Sequence, residues 1–325
     1  MNQAGPATSV VVSTYSERRW DDLEACLASL RRQTRPPLET IVVVDHNEEL
    51  LEKVRERFPD VKAIPNQRPR GLAGARNAGI AVAGGEVVAF IDDDAQAEPE
   101  WLAELEKAFD GNGVVGAGGA LLPLWHGGEA RWMPHEFYWV IGCSYAGLPE
   151  DGGPVRNPIG ANMAVRADVL AEVDGFREGG EAGAPRELRA RGVVRAAGNV
   201  PDDTDLAIRV SKVRPEAVWL YRPSARVLHG VTAERTTFGY FVRRCYEEGV
   251  GKASLALLVG SEQGLASERR HAAVALPRGV ARELRNLLRG DAAAGLRIVA
   301  MAVGLAATAA GFFGTRLRQR RRALS

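Results

Sequence analysis

The sequence predicts an α/β fold, a mostly parallel sheet covered by helices and followed by a helical extension. Two observations carry this prediction. Short apolar runs rich in Val and Ile alternate with stretches of helical period, the pattern of strands buried on both faces with helices between them. Such a β-α-β-α order implies right-handed crossovers and a parallel sheet. After about residue 236 the strand pattern gives way to helical spacing alone.

Taken in order, residues 8–14 (Thr8 to Thr14) read as a first buried strand, and Trp20, Leu23, Leu27 and Leu30 as the apolar face of a helix running up to Gln33-Thr34. Arg35-Pro36-Pro37 ends it. Thr40 to Val44 is a second strand ending at Asp45, Leu50 to Phe58 a helix closed by Pro59, and Val61 to Ile64 a shorter strand. Gly71 to Ala83 is an Ala- and Gly-rich helix that can pack closely, and Gly84-Gly85 turns the chain into Val87-Val88-Ala89-Phe90-Ile91. That central strand runs into Asp92-Asp93-Asp94. Pro99 to Phe109 follows as a helix with Pro in its first turn, where the missing N–H costs nothing.

A buried strand ends where it reaches the rim of the sheet, and open α/β sheets bind ligands beyond the carboxyl ends of their strands. Ser13-Thr14-Tyr15, Asp45 and Asp92-Asp93-Asp94 all lie at such ends and should converge. Three adjacent carboxylates raise one another's pKa unless a cation is shared among them. Their oxygen-rich, sulfur-free chemistry suits Mg²⁺ or Mn²⁺. The alternative is a solvated acidic turn capping the next helix, with Glu98 and Glu100 continuing the charge. Taken alone, Tyr15 has a second reading as rim packing and Asp45 as a turn former.

Composition narrows the class. An apolar content of 46% and a charged content of 26% are those of a soluble globular protein. A net charge of +1 disfavours a nucleic-acid binder working through a basic field. Cys26, Cys143 and Cys245 lie far apart, which disfavours a disulfide framework or zinc site and fits a reducing compartment. The N-terminus does not read as a secretory signal. There is no GxxxxGK[ST] motif, and no GxGxxG follows the first strand; Gly116-Ala117-Gly118-Gly119 is only superficially similar.

Six segments, in order, resemble the family 2 glycosyltransferases, inverting enzymes with the GT-A fold that use nucleotide sugars. The resemblance covers roughly residues 8–235. Val10-Val11-Val12-Ser13-Thr14-Tyr15 is similar to the family's opening strand, whose Tyr position lies against the nucleobase. Val42-Val43-Val44-Asp45 is similar to the second strand, whose Asp binds the base. Gly71-Leu72-Ala73-Gly74-Ala75-Arg76-Asn77-Ala78-Gly79 is similar to the Gly-rich segment whose Arg helps hold the nucleotide, and Asp92-Asp93-Asp94 occupies the DxD position. The resemblance implies that Asp94 faces the metal while Asp92 and Asp93 are shared among metal, ribose and base. Gly160-Ala161-Asn162-Met163-Ala164-Val165-Arg166 is similar to the strand walling the sugar and acceptor pocket. Pro201-Asp202-Asp203-Thr204-Asp205-Leu206-Ala207-Ile208-Arg209 is similar to the Glu-Asp motif that opens a helix and supplies the base. Here Asp202 stands in place of the Glu, at the sugar and acceptor pocket with Asn162, and Asp203 is the expected base. The alternative for these acids is a helix N-terminus favoured by the macrodipole. His229, after an apolar strand, is a further metal candidate by analogy with related folds, or else a packed histidine. His46, next to Asp45, reads as lining the same rim, and Trp125, Trp132 and Trp139 either stack on a sugar or acceptor lipid or serve packing.

The expected division is a catalytic domain over 1–235 and a helical, membrane-associating region over 236–325. Arg278, Arg282, Arg285 and Arg289 form one stripe of a helix, with Val280, Leu284, Leu287 and Leu288 mainly off it. Ile298 to Thr315 contains no charge for 18 residues, and Arg316, Arg318, Arg320, Arg321 and Arg322 follow it. A basic cluster beside an apolar segment belongs on the cytoplasmic side of a membrane and attracts anionic lipid. The expected function is metal-dependent transfer of a sugar from a nucleotide-diphosphate donor to a lipid-linked or cell-envelope acceptor at the cytoplasmic face of the membrane. Competing readings are a soluble transferase with a small-molecule acceptor and a non-catalytic nucleotide-sugar-binding scaffold.

Overall fold

The computed structural model describes residues 5–178, 201–259 and 271–323. The chain divides into two compact units, and among the described residues the first holds 5–122, 149–178 and 202–230. It opens with β1 (Thr8–Thr14), α1 (Trp20–Arg31), β2 (Glu39–Val44), α2 (Glu48–Arg57), β3 (Lys62–Pro65), α3 (Leu72–Ile80) and β4 (Val87–Asp92). β5 (Ala95–Ala97), α4 (Trp101–Glu106), β6 (Val114–Trp125), β7 (Gly153–Val155), β8 (Asn162–Arg166), α5 (Ala167–Glu172), α6 (Asp202–Val213) and β9 (Val218–Val231) follow.

The strands form one sheet in the order β3-β2-β1-β4-β8-β6-β9-β5, with β7 paired to β9. Side chains alternate across it: Val10 and Val12 pack with Leu23, Leu27, Val54, Trp101 and Leu105 on one face. Val11 packs with Ala75, Val169, Leu206 and Val210 on the other. Both faces are thus covered, which is why the strands read as continuous apolar runs.

The parallel expectation holds for half the sheet only. β3, β2, β1 and β4 are mutually parallel, whereas β4–β8, β8–β6, β9–β5 and β9–β7 are antiparallel. No α-helix intervenes between β6 and β8 among the described residues, and an antiparallel neighbour needs no crossover helix. The glycines at 116–119 belong to β6: a Cβ on Gly116 would strike the Trp219 ring, and one on Gly119 the Ala225 carbonyl. They admit close neighbours rather than a phosphate. α4 starts at Trp101, not Pro99, and a 3₁₀ turn at Lys107–Asp110 completes the stretch to Phe109 and one residue beyond.

The second unit holds residues 123–148, 201, 231–259 and 271–323 of the described part. Segment 123–148 therefore clusters with the C-terminal helices, where the sequence reading placed a single break at 235. A 3₁₀ segment His135–Ile141 precedes α7 (Phe238–Val259), α8 (Leu276–Leu288) and α9 (Ala293–Ala323). Their core contains Phe137, Ile141, Phe241, Cys245, Ala300 and Met301. α7 and α9 meet backbone to backbone, since a Cβ on Gly249 would overlap the Thr308 carbonyl and one on Gly311 the Tyr246 carbonyl. Trp125, Trp132 and Trp139 pack on Tyr138, on Phe238 and Phe241, and on Phe137, which is the packing alternative for all three.

α8 is held by a chain of ion pairs. Arg282 grips the buried Glu136 (3.0 Å) and Glu283 (2.7 Å), and Arg297 bridges Glu283 (2.7 Å) to Asp291 (2.5 Å). Arg282 is therefore spent inside the unit, while Arg278, Arg285 and Arg289 are exposed. Leu284, Leu287 and Leu288 are exposed as well, Leu288 at 89%, on the side of the helix flanking the basic stripe. The uncharged run 298–315 lies within α9, whose outer face shows Val299, Leu305, Phe313 and Leu317. Residues Ala293–Gln319 are long and apolar enough to cross a membrane. The side chains of Arg320, Arg321 and Arg322 lie outside the described part.

Candidate active site

Register brings the rim residues into line. Ser13 lies opposite Val43 on one side and Asp92 on the other, Thr14 lies opposite Val44, and the Asp45 N–H donates to the Thr14 carbonyl (2.8 Å). The carboxyl ends of β1, β2 and β4 therefore stand in one row, with Ser13 half-buried, Tyr15 56% exposed and Asp92 at the end of its strand. All these residues belong to the first unit, as do α6 and His229.

Asp45 is tied into this row. Its Oδ1 accepts from Asn66 Nδ2 (2.6 Å) and lies 2.8 Å from His46 Nδ1, and its Oδ2 accepts the Gly71 N–H (2.9 Å). One carboxylate thereby fixes the end of β3 and the start of α3. His46 is one of two described non-glycine residues with positive φ, at 54°, a turn that swings its ring back onto Asp45.

The acid triplet splits three ways. Asp92 accepts from Arg76 Nη2 (3.2 Å). Asp93 turns inward, 2% exposed, onto Arg19 Nη1 (2.6 Å). Burial pushes its carboxyl up to about 6; Arg19 and the Thr14 hydroxyl pull it down, and Asp94 adds to the rise. Asp93 thus faces the protein, where the resemblance placed it on the ligand. Asp94 lies between two partners, with Oδ2 3.3 Å from Arg19 and Oδ1 3.4 Å from His229 Nε2.

His229 reaches Asp94 because β5 pairs antiparallel with β9. Ala95 lies opposite His229, and the Gly230 N–H donates to the Asp94 carbonyl (2.8 Å). One potential ligand atom each from Asp92, Asp94 and His229 falls within 4.8 Å of the others.

Arg76 joins this cluster to α6. The side chain, 5% exposed, lies between the Phe90 and Phe176 rings (5.9 and 5.2 Å from their centroids), and its second amino group lies 3.7 Å from Asp202. Burial holds the Asp202 carboxyl above its ordinary range, with Arg76 opposing and the Asp203 and Asp92 charges adding, while 33% of the side chain stays accessible. Asp203 lies in the first turn of α6, as expected. Its Oδ2 accepts the Gly160 N–H (3.3 Å) and its Oδ1 the Thr204 N–H (2.6 Å). Asp205 is buried between Arg177 (3.1 Å) and Arg209 (2.8 Å), a structural ion pair.

Asn162 requires a correction. It is fully buried, accepts from Trp101 Nε1 (2.7 Å), and donates to the carbonyls of Ala120 (3.1 Å) and Ala225 (2.9 Å). Its amide stitches α4, β6 and β9 together instead of walling an acceptor pocket.

A model of glycosyl transferase family 2 matches residues 9–174. The chain belongs to this family. A glucosyl-dolichyl phosphate glucuronosyltransferase from Haloferax volcanii is 34% identical over 254 residues, 77% of each chain. Among solved structures, the mannosyltransferase PcManGT from Pyrobaculum calidifontis, in complex with GDP-Man and Mn²⁺, matches with a TM-score of 0.60 at 19% identity, over 96% of this chain and 88% of that one. GalNAc-T7 with UDP, GalNAc and Mn²⁺ matches with a TM-score of 0.53 at 17% identity, over 83% and 55%. These likenesses establish the GT-A fold.

In this glycosyltransferase the donor chemistry at the strand end fits a divalent cation: two carboxylates and an imidazole, without sulfur, are suitable ligands for Mg²⁺ or Mn²⁺. Sequence reasoning missed Arg19 and Asn66. Arg19 sits one turn past the strand end, in Glu17–Arg19, a 3₁₀ turn capped by the Ser16 side chain. Ser16-Glu17-Arg18-Arg19 was the available signal, but Arg is the default cation in a chain with only 5 Lys among 42 basic residues.

Proposed function

We propose that this family 2 glycosyltransferase moves a sugar, with inversion, from a nucleotide-diphosphate sugar to an acceptor hydroxyl on a lipid-linked or cell-envelope glycan, working at the cytoplasmic face of a membrane. The observation that carries the reading is the convergence of Asp92, Asp94 and His229 with the start of α6, which bears Asp203, joined through Arg76 and Asp202. Mn²⁺ or Mg²⁺ held by Asp92, Asp94 and His229 would supply Lewis-acid stabilisation of the departing nucleoside diphosphate. Arg76 positions Asp92 and Asp202 while presenting positive charge to the nucleotide. Asp45, Ser13 and the exposed Tyr15 ring are the base- and ribose-side surface.

Asp203 is the proposed general base. An acceptor hydroxyl must lose its proton as it attacks the anomeric carbon, and attack opposite the leaving group inverts that centre. Asp202 is pinned by Arg76 and orients the start of α6. The lipid-linked acceptor is supported by the dolichyl phosphate relative and by the exposed apolar and basic surface of α8 and α9.

The test is a screen of nucleotide sugars with Mn²⁺ or Mg²⁺, following release of nucleoside diphosphate, on wild type and two isosteric variants. Asp203→Asn should lower transfer by about 10²-fold or more, the scale of lost general-base help, with little change in donor binding. Asp202→Asn should be much milder. If Asp202→Asn is the crippling change, the register of the motif shifts by one residue; if neither matters, the base lies elsewhere.

A further inference from the structure

We propose that Arg19 is a built-in counter-cation that makes ion binding at Asp92, Asp94 and His229 depend on the diphosphate of the donor. The inference rests on the reading of this site as one for a nucleoside diphosphate and a divalent ion. Its evidence is the position of one guanidinium. Arg19 Nη1 lies 2.6 Å from Asp93 Oδ1 and 3.3 Å from Asp94 Oδ2, and the group sits 5.3 Å from the centroid of the Tyr15 ring. It therefore touches both the inward acid and a candidate ion ligand, beside the ring proposed to meet the base.

Charge decides what this arrangement can do. Three carboxylates stand at the strand end, and two guanidinium groups, Arg19 and Arg76, lie within 3.3 Å of them. Setting aside His229, and Asp202 on the far side of Arg76, one net negative charge is left for a divalent cation. Mg²⁺-type sites are completed by substrate phosphates when the protein supplies only one or two carboxylates. Here the protein has a third, but Asp93 is turned inward and matched by Arg19, so it adds little charge that an ion can use. The diphosphate supplies the missing charge. Arg19 also holds Oδ2 of Asp94 and leaves Oδ1 on the His229 side, so it sets the orientation of the ligand whose charge it offsets.

Linkage makes the coupling reciprocal: whatever factor the nucleotide adds to ion affinity, the ion adds to nucleotide affinity. Full-length wild type, Arg19→Gln and Arg19→Lys are titrated with Mn²⁺ alone, by electron paramagnetic resonance of free Mn²⁺, and again in saturating UDP or GDP. In wild type, one of the two nucleotides should tighten Mn²⁺ by at least about tenfold. Arg19→Gln should bind Mn²⁺ alone about tenfold more tightly than wild type and lose a similar factor of coupling. Arg19→Lys keeps the charge and should stay close to wild type. If Arg19→Gln binds Mn²⁺ no tighter than wild type, the proposal is overturned, because a guanidinium that only buttressed the ligands would give weaker binding in both variants. Wild type that binds Mn²⁺ as tightly without nucleotide as with it overturns the proposal whether or not Arg19→Gln folds. If neither nucleotide binds at all, the broader reading of the site fails first.

Discussion

At the scale of single residues, the carboxylates of the rim and of α6 are held by side chains distant from them in the chain. Ser13, Asp45, Asp92 and Asp94 could be placed because a β-branched run ending in an acid or hydroxyl states where a buried strand surfaces. Asn66 on Asp45, Arg19 on Asp93 and Arg177 on Asp205 bring together residues 21, 74 and 28 positions apart, and no local pattern encodes such pairs. Asn162 shows the converse error, a motif residue given to a pocket although its amide is consumed in the core. The test is Asn162→Leu, which leaves the Trp101 indole N–H and the carbonyls of Ala120 and Ala225 without their partner. Buried groups stranded in this way should lower stability by about 2–5 kcal/mol in urea unfolding. Nucleotide affinity per folded molecule should hold; its loss in a folded variant would restore Asn162 to the pocket.

At the scale of elements, the strand-helix alternation made the parallel half readable, because each crossover helix advertises itself by its period. The antiparallel half lacks that signal. β5 is three residues long, and β6 hides its strand character behind glycines at 116, 118 and 119. Yet this half brings His229 to within 3.4 Å of Asp94, a placement that no local pattern in the sequence could show. α4 is fastened to β9 by Glu104, which accepts from Ser224 (2.6 Å) and Arg222 (3.3 Å) and meets Lys107 (2.5 Å). Hydrogen bonds from Lys107 and Ser224 hold its carboxyl down at about 2, against an ordinary 4.5. A depressed acid stabilises the fold fully above its unfolded pKa and loses that contribution as the pH falls toward the folded value. Glu104→Gln should therefore be less stable than wild type at pH 7, by about 1 kcal/mol given the partial exposure of its partners. The gap should narrow steadily between pH 4.5 and pH 2. A pH-independent gap in urea midpoints would assign the effect to packing alone.

At the scale of the whole molecule, a net charge of +1 conceals an uneven surface. The outer side of α8 places Leu284, Leu287 and Leu288, at 49%, 43% and 89% exposure, beside the exposed Arg285 and Arg289. That mixture suits a helix lying on an anionic bilayer, apolar side chains entering the acyl boundary and arginines at the headgroups. Deleting the C-terminal helices is a poor test, because α9 supplies Ala300 and Met301 to the core containing Phe241 and Cys245. Surface variants of the full chain avoid that difficulty. Wild type should sediment with vesicles of phosphatidylglycerol and only weakly with phosphatidylcholine. The triple change Leu284→Gln, Leu287→Gln and Leu288→Gln should weaken binding to both by about tenfold or more, since each leucine forfeits part of the roughly 2 kcal/mol a buried side chain gains. Arg285→Gln with Arg289→Gln should erase only the preference for the anionic lipid, at about 1 kcal/mol per charge. Donor hydrolysis in the absence of vesicles should be unchanged in both sets, as neither touches the strand-end acids. Should wild type remain in the supernatant with anionic vesicles, the acceptor is a small soluble molecule, and the leucines of α8 must be covered by something other than lipid.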